Sequence, residues 1–168
     1  LAKIQDGVDV YSQAKEIGEF QKAIDDYTEA MRRKGYNDIL QRMRRAEIYR
    51  VIGNYKEALA DIDTLIQSNA SSADVGAQFK AGDSYLYYTR AGIYAKIGNL
   101  NQAIDDYSIA LKLGTGGEAY MIYRDRWKIY FNLSRYNEAI QDLTVALKLS
   151  KYGSFDDHLN MLVNRGIA

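Results

Sequence analysis

The sequence predicts an all-α solenoid of antiparallel helix pairs, and three observations carry that expectation. The first is repetition. Residues 90–111 read RAGIYAKIGNLNQAIDDYSIAL, with near-copies at 45–66 (RAEIYRVIGNYKEALADIDTLI) and 126–147 (RWKIYFNLSRYNEAIQDLTVAL) and a half copy at 14–31 (AKEIGEFQKAIDDYTEAM). The second is punctuation. Each full copy holds two apolar stripes of helical period hinged at Gly53, Gly98 or near Ser134, in a chain of 13 Gly and no Pro. The third is spacing. The equivalent alanines Ala23, Ala58, Ala103 and Ala139 lie 35, 45 and 36 residues apart, near the helix-turn-helix period of about 34 residues plus one larger insertion.

The elements follow in order. Ile4, Val8, Tyr11, Ala14 and Ile17 share one helical face. Gly7 weakens that segment by about 1 kcal/mol relative to Ala, and Gly18 is expected to end it. A second helix from Phe20 to about Lys34 presents Phe20, Ala23, Ile24, Tyr27, Ala30 and Met31, and Gly35 closes it. Together they form repeat 1, about 4–35. Repeat 2, about 38–69, runs from Asp38 to a turn at Gly53 and resumes with Tyr55, Ala58, Leu59, Ile62, Leu65 and Ile66.

The Ser-, Ala-, Gly- and Asp-rich stretch 68–83 holds an insertion at about 70–83. It reads as a loop followed by a helix starting near Asp74, the alternative being that it lengthens a flanking helix. Repeat 3, about 84–114, turns at Gly98 and resumes with Leu100, Ala103, Ile104, Tyr107, Ala110 and Leu111. Repeat 4, about 118–150, turns near Ser134 and resumes with Tyr136, Ala139, Ile140, Leu143, Ala146 and Leu147. Residues 155–168 read as a partial fifth repeat or a capping helix; their NRGIA ending is how another first helix opens, as in a longer array.

Composition narrows the function classes. Apolar residues make up 47% and charged residues 26%, a globular balance. Lys+Arg and Asp+Glu both total 22, so no global field favours nucleic acid or an anionic membrane. Cys is absent, which removes disulfides and thiolate metal sites. No apolar run approaches the ~20 residues that span a bilayer. The chain opens on Leu1 with no visible signal peptide, which leaves targeting open.

Over essentially its whole length the chain resembles the tetratricopeptide repeat family. The motif is a small residue, Tyr three positions on, a Gly turn, an aromatic two residues later, then Ala and Ala again seven on. Here it reads Ala91, Tyr94, Gly98, Leu100, Ala103 and Ala110, with Leu100 in place of the aromatic. The other copies read Ala46, Tyr49, Gly53, Tyr55, Ala58 with Leu65, and Trp127, Tyr130, Ser134, Tyr136, Ala139 with Ala146. The resemblance implies a right-handed superhelix. Its physical basis is independent of the family: alanines let helix axes approach closely, tyrosines fill the wedges, and stability accumulates from interfaces between repeats. Trp127 departs from the small-residue slot and reads as a repacked core position that pushes the fourth pair apart locally.

The resemblance also implies that first-helix faces line a concave surface that binds an extended peptide or a partner helix. With Ala46 and Tyr49 turned to the partner helix, the opposite face of the second repeat holds Leu40, Met43, Arg44, Glu47 and Arg50. The corresponding faces hold Tyr85, Tyr88, Thr89, Gly92 and Lys96, and Met121, Arg124, Asp125, Lys128 and Phe131. The candidate groove residues are Met43, Arg44, Glu47, Arg50, Tyr85, Tyr88, Lys96, Met121, Arg124 and Lys128. Tyrosines would pack, while Arg44, Arg124 and Lys128 would take carboxylates of an acidic segment.

One subgroup of the family clamps chaperone C-terminal carboxylates with Lys and Asn at first-helix slots. The Asn slot here holds Arg44, Thr89 and Asp125, with a match only at Asn164, so a chaperone tail is not the expected partner. Self-association by stacking of repeats is the alternative to groove binding.

Other features read as structural. Residues 31–50 carry seven basic residues against two acidic ones, and the first thirty carry seven acids against three lysines, so neighbouring helices can neutralise one another. The basic run lacks the aromatic interleaving of a nucleic-acid surface. Asp26, Asp61, Asp106 and Asp142 recur at one slot, which suggests pairing with a basic residue of the next repeat. Adjacent pairs such as Asp25/Asp26 and Asp105/Asp106 point about 100° apart and do not share a proton or a metal. GxxxxGK[ST], HExxH and GxSxG motifs are missing. GTGG at 114–117 follows a helix and reads as an inter-repeat loop. His158 stands alone, and the Asn69 and Asn132 glycosylation triplets are read as chance. No catalytic residue, cofactor, metal, nucleic acid or membrane is assigned, and the expected function is a non-catalytic protein-interaction scaffold.

Overall fold

A computed structural model of the chain describes residues 18–33, 38–71, 80–114 and 117–149. Seven helices and no strand occur among them. They are α1 (18–32), α2 (Asp38–Val51), α3 (Tyr55–Ser71), α4 (Lys80–Lys96), α5 (Leu100–Leu113), α6 (Ala119–Asn132) and α7 (Tyr136–Leu149). The chain divides into two compact units, one ending at Ser71 and one beginning at Ser72. Within the first, α2 packs on α3; within the second, α4 packs on α5, α5 on α6, and α6 on α7. No helix among the described residues is long and apolar enough to cross a membrane.

The hinge residues do what their position demands. Gly53 and Gly98 sit at φ +82° and +85°, and Ser134 takes the same left-handed region at +58°. In each case the following N–H reaches back over the turn to the carbonyl of the repeat's tyrosine. Asn54 donates to Tyr49, Asn99 to Tyr94 and Arg135 to Tyr130, each at 2.8 Å. With Gly53 donating to Arg50, Gly98 to Ala95 and Ser134 to Phe131, these are Schellman closures, which satisfy the last carbonyls of the first helix. The partner helix then starts within two residues, so the two members of a pair run antiparallel.

Two expectations at element ends fall at the edge of the described residues. Gly18 is helical and is the first residue described; residues 1–17 and Gly35, expected to form and close neighbouring elements, lie outside the described residues, as do 155–168. At the insertion, the described residues on either side are helical, and 72–79 lie outside the described residues. Both α3 and α4 run to 17 residues where α5, α6 and α7 have 14. Helix therefore covers 68–71 and 80–83, and the start near Asp74 lies outside the described residues.

The cores sit on the alanine seams. Ala58, Ala91, Ala103, Ala110, Ala139 and Ala146 are fully buried, as are Ile62, Ile93, Ile122 and Leu143 to within a percent. In the second unit Ala91, Ala103, Ala110 and Ala139 join Ile104, Tyr107, Ile122, Ile129 and Tyr130 in one cluster. A missing side chain at the seam is what admits the neighbouring backbone. Trp127 is buried against Leu143, with Phe131 and Ile140 at its edge, so it is a core residue. Ser84 locks the α5–α6 connection. Fully buried, its Oγ lies 3.0 Å from the Ala110 carbonyl and 2.9 Å from Glu118 Oε2. A Cβ on Gly114 would approach that Oγ to 3.0 Å, so this glycine is a requirement of close approach.

Candidate partner-binding faces

Three of the four recurring aspartates, Asp61, Asp106 and Asp142, are buried structural partners, and their cation lies sixteen residues upstream in the same repeat rather than in the next one. Arg45 brackets Asp61 (Nε–Oδ2 2.8 Å, Nη2–Oδ1 2.6 Å), Arg90 brackets Asp106 (2.7 and 2.8 Å) and Arg126 brackets Asp142 (2.7 and 2.8 Å). The remaining nitrogen points backwards along the array. Arg45 Nη1 donates to Thr28 Oγ1 and Arg126 Nη1 to Ser108 Oγ, both at 2.8 Å. Each guanidinium also lies over tyrosine rings of its own helix: Tyr49 for Arg45, Tyr87 and Tyr94 for Arg90, Tyr123 and Tyr130 for Arg126. Burial disfavours charge on Arg126, but Asp142 and the rings outweigh it and hold its pKa above the ordinary value. For Arg45 the Asp61 hydrogen bond leads the same upward shift.

This bracket commits the motif arginine of each full copy to the core, apart from the candidate binding set. Its signal was legible, because the interval from Arg to Asp is sixteen residues in all three full copies. Asp26 breaks the pattern. It is exposed on α1, and the residue sixteen positions before it is Val10 rather than an arginine.

The ten candidate residues fall on the first helices of the two units. On α2, Arg44 and Arg50 are exposed, while Met43 and Glu47 are half-buried. Arg44 Nη1 reaches Glu47 Oε2 at 3.4 Å. Arg44, Glu47, Arg50, Ile48 and Val51 form one wall of a groove of about 330 Å³ whose other wall is Phe20 and Tyr27 of α1. Val51, 59% exposed, leaves an apolar floor open to solvent.

In the second unit Tyr85 and Tyr88 are half-buried on α4, and Lys96 is exposed at its end. Met121 on α6 is exposed, as is Lys128, and Arg124 lies between buried and exposed. Of the other residues expected on these faces, Thr89 is buried, and Phe131 packs edge-on against Trp127 and Tyr136.

The second unit also contains a convergence that periodicity alone does not reveal. Tyr88 donates its hydroxyl to Asp125 Oδ2 at 2.9 Å. Arg124 holds the same carboxylate through Nε at 3.0 Å and Nη2 at 3.2 Å, and Lys128 Nζ stands 3.6 Å from Oδ1. The Asp125 hydrogen bond is the leading cause that raises the Arg124 pKa. Beneath, the Tyr107 ring lies 5.8 Å from that of Tyr88. Burial first, and then the charge of Asp125, push the Tyr107 phenol above its ordinary range. Three of the ten candidates thus meet at one internal acid. Among the described residues no group of three or more His, Cys, Asp or Glu could hold a metal ion.

No protein-family model and no curated protein matches the chain. Solved structures do. A crystal structure of MamA aligns at a TM-score of 0.63 and 17% identity, covering 82% of this chain and 72% of MamA. A tetratricopeptide repeat protein from Parabacteroides merdae aligns at 0.71 and 19%, covering 94% of this chain and 57% of that one. The first TPR of Spaghetti (RPAP3), solved bound to the HSP90 peptide SRMEEVD, aligns at 0.61 and 19%, covering 77% of this chain and 96% of that one. These likenesses, together with helix pairs closed by left-handed turns over an alanine seam, establish that the chain has the tetratricopeptide-repeat fold, an all-α solenoid of antiparallel helix pairs.

Proposed function

We propose that the chain is a non-catalytic protein-interaction scaffold whose first-helix faces bind a segment of a partner protein that carries acidic groups. The observation that carries this reading is the division of labour on the first helices. Their seam residues and motif arginines are consumed by the core, whereas Arg44, Arg50, Lys96, Met121 and Lys128 on the other side are exposed. Those faces hold five cations (Arg44, Arg50, Lys96, Arg124, Lys128) against Glu47 and Asp125, a balance that favours carboxylates. Half-buried Tyr85 and Tyr88 supply rigid amphipathic area, and Met residues adapt to varied side chains. A solved structure of the same fold holds a peptide with three acidic residues, which supports an acidic segment as the class to test. Specificity would come from which carboxylates meet which cations, and affinity from apolar contacts in the α1–α2 groove.

The test is capture of the partner from a lysate by the full chain, compared with Arg44→Glu and Lys128→Glu. Both side chains are more than half exposed, so helicity should be retained. Loss of the same partner with either reversal is the expected result. Undiminished capture by both variants overturns the groove reading. Concentration-dependent oligomers that ignore both substitutions would establish self-association by stacking in its place.

A further inference from the structure

We propose that Asp125 is a specificity-determining residue of the α4–α6 face: an internal carboxylate that occupies the cations a partner's acidic group would need. The inference rests on the groove reading above and deepens it. Arg124 and Lys128 are the two cations of α6 on that face, and both are turned onto Asp125. The carboxylate is anchored from a second helix as well, by the Tyr88 hydroxyl, whose ring is set against Tyr107. Geometry therefore gives Asp125 three hydrogen bonds and an ion-pair contact while its side chain is still 22% exposed, beside Arg124 at 36% and Lys128 at 54%. The cluster is at the surface, where a ligand can reach it.

An incoming carboxylate meets two obstacles. It must displace donors already satisfied by Asp125, and it must sit within a few ångströms of a like charge, a repulsion that solvent only partly screens. The exchange trades one charge-assisted set of hydrogen bonds for another, so little free energy is gained for a single acid. A neutral or aromatic segment meets no such penalty. The pair on α2 differs in kind: Arg44 and Glu47 are neighbours one turn apart on the same exposed surface, the class of ion pair that holds weakly. Asp125 thus competes with a partner's acidic side chains for the α6 cations and limits how tightly they are held there, and removing its charge should strengthen that hold.

The experiment measures fluorescence anisotropy of a labelled tetraglutamate peptide, with its tetraglutamine counterpart as the neutral control, on the full chain at low ionic strength. Asp125→Asn keeps the shape and removes the charge. It should tighten tetraglutamate binding by about fivefold, leave tetraglutamine unchanged, and lose its gain when combined with Arg124→Gln. Tyr88→Phe, which releases the carboxylate from the α4 side, should give a smaller gain in the same direction and serves if Asp125→Asn folds poorly by circular dichroism. Equal tetraglutamate affinity in the wild type and both variants, an equal gain for tetraglutamine, or no tetraglutamate binding to any variant each overturns the inference. If those results coincide with loss of the natural partner in Arg44→Glu and Lys128→Glu, only the Asp125 inference fails. A tetraglutamate gain with undiminished partner capture by both reversals fails the groove reading and leaves the Asp125 effect standing.

Discussion

The Arg126–Asp142 pair illustrates what a single residue controls in this chain. Both side chains are nearly buried, 12% and 6% exposed, so ionic attraction alone would barely offset the loss of hydration. The pair persists because every nitrogen of the fork is used: two on Asp142, one on Ser108, with ring faces of Tyr123 and Tyr130 along its helix. Asp142→Asn leaves a buried guanidinium without its counter-ion. It should cost about 3 kcal/mol, read as a lower urea midpoint with an unchanged slope.

Tyr107 sets a pH limit at the same scale. Its pKa in the folded chain is raised above the ordinary 10.0, by burial and then by Asp125. The protonated phenol is therefore the form that the fold favours. Its stabilising contribution is complete below the unfolded pKa and is lost as pH rises above about 10, where the unfolded chain releases the proton and the folded one keeps it. Denaturant midpoints measured from pH 8 to 11 should fall less steeply in Tyr107→Phe than in the parent chain. Parallel curves would contradict the assignment.

At the scale of the element, a helix pair is a seam of alanine closed by a left-handed residue. Ala103 has no exposed surface and shares its cluster with Ala91, Ala110 and Ala139. Ala103→Leu adds three carbons where a neighbouring helix already sits, and should cost about 1–3 kcal/mol through overpacking. Thermal unfolding followed at 222 nm checks this; an unchanged midpoint would mean that the seam is looser than its burial indicates. The periodicity of the sequence placed this seam residue by residue, because a residue on the inner stripe of a short amphipathic helix has few alternatives to burial. It did not place the partner of the recurring aspartate. A carboxylate on a buried stripe can be reached from either neighbouring repeat, and the reach of an arginine fork selects the helix of its own repeat.

Across the whole molecule, stability in a repeat array is expected to be uneven, since each pair depends on its neighbours for cover. Five residues of α5 are buried (Ala103, Ile104, Asp106, Tyr107 and Ala110). In α1 only Ile24 is buried among the described residues. Amides of α1 should therefore exchange with solvent at least about tenfold faster than those of 103–110, as native-state hydrogen exchange would show. Uniform protection across the chain would instead indicate a single cooperative unit.

Hinge positions, alanine seam and the core role of Trp127 were determined by the sequence itself, since they depend on local periodicity, on the φ > 0 demanded at a tight turn, and on the cost of exposing an inner stripe. The candidate face was legible as the stripe left over, and its cations could be named. Only tertiary structure decided how those cations are used. Arg124 and Lys128 are turned onto Asp125, and Tyr88 joins them from another helix. The Tyr88–Asp125 hydrogen bond joins side chains 37 residues apart, depends on how helices pack and on which donors reach across the gap, and leaves no record in the periodicity of one helix.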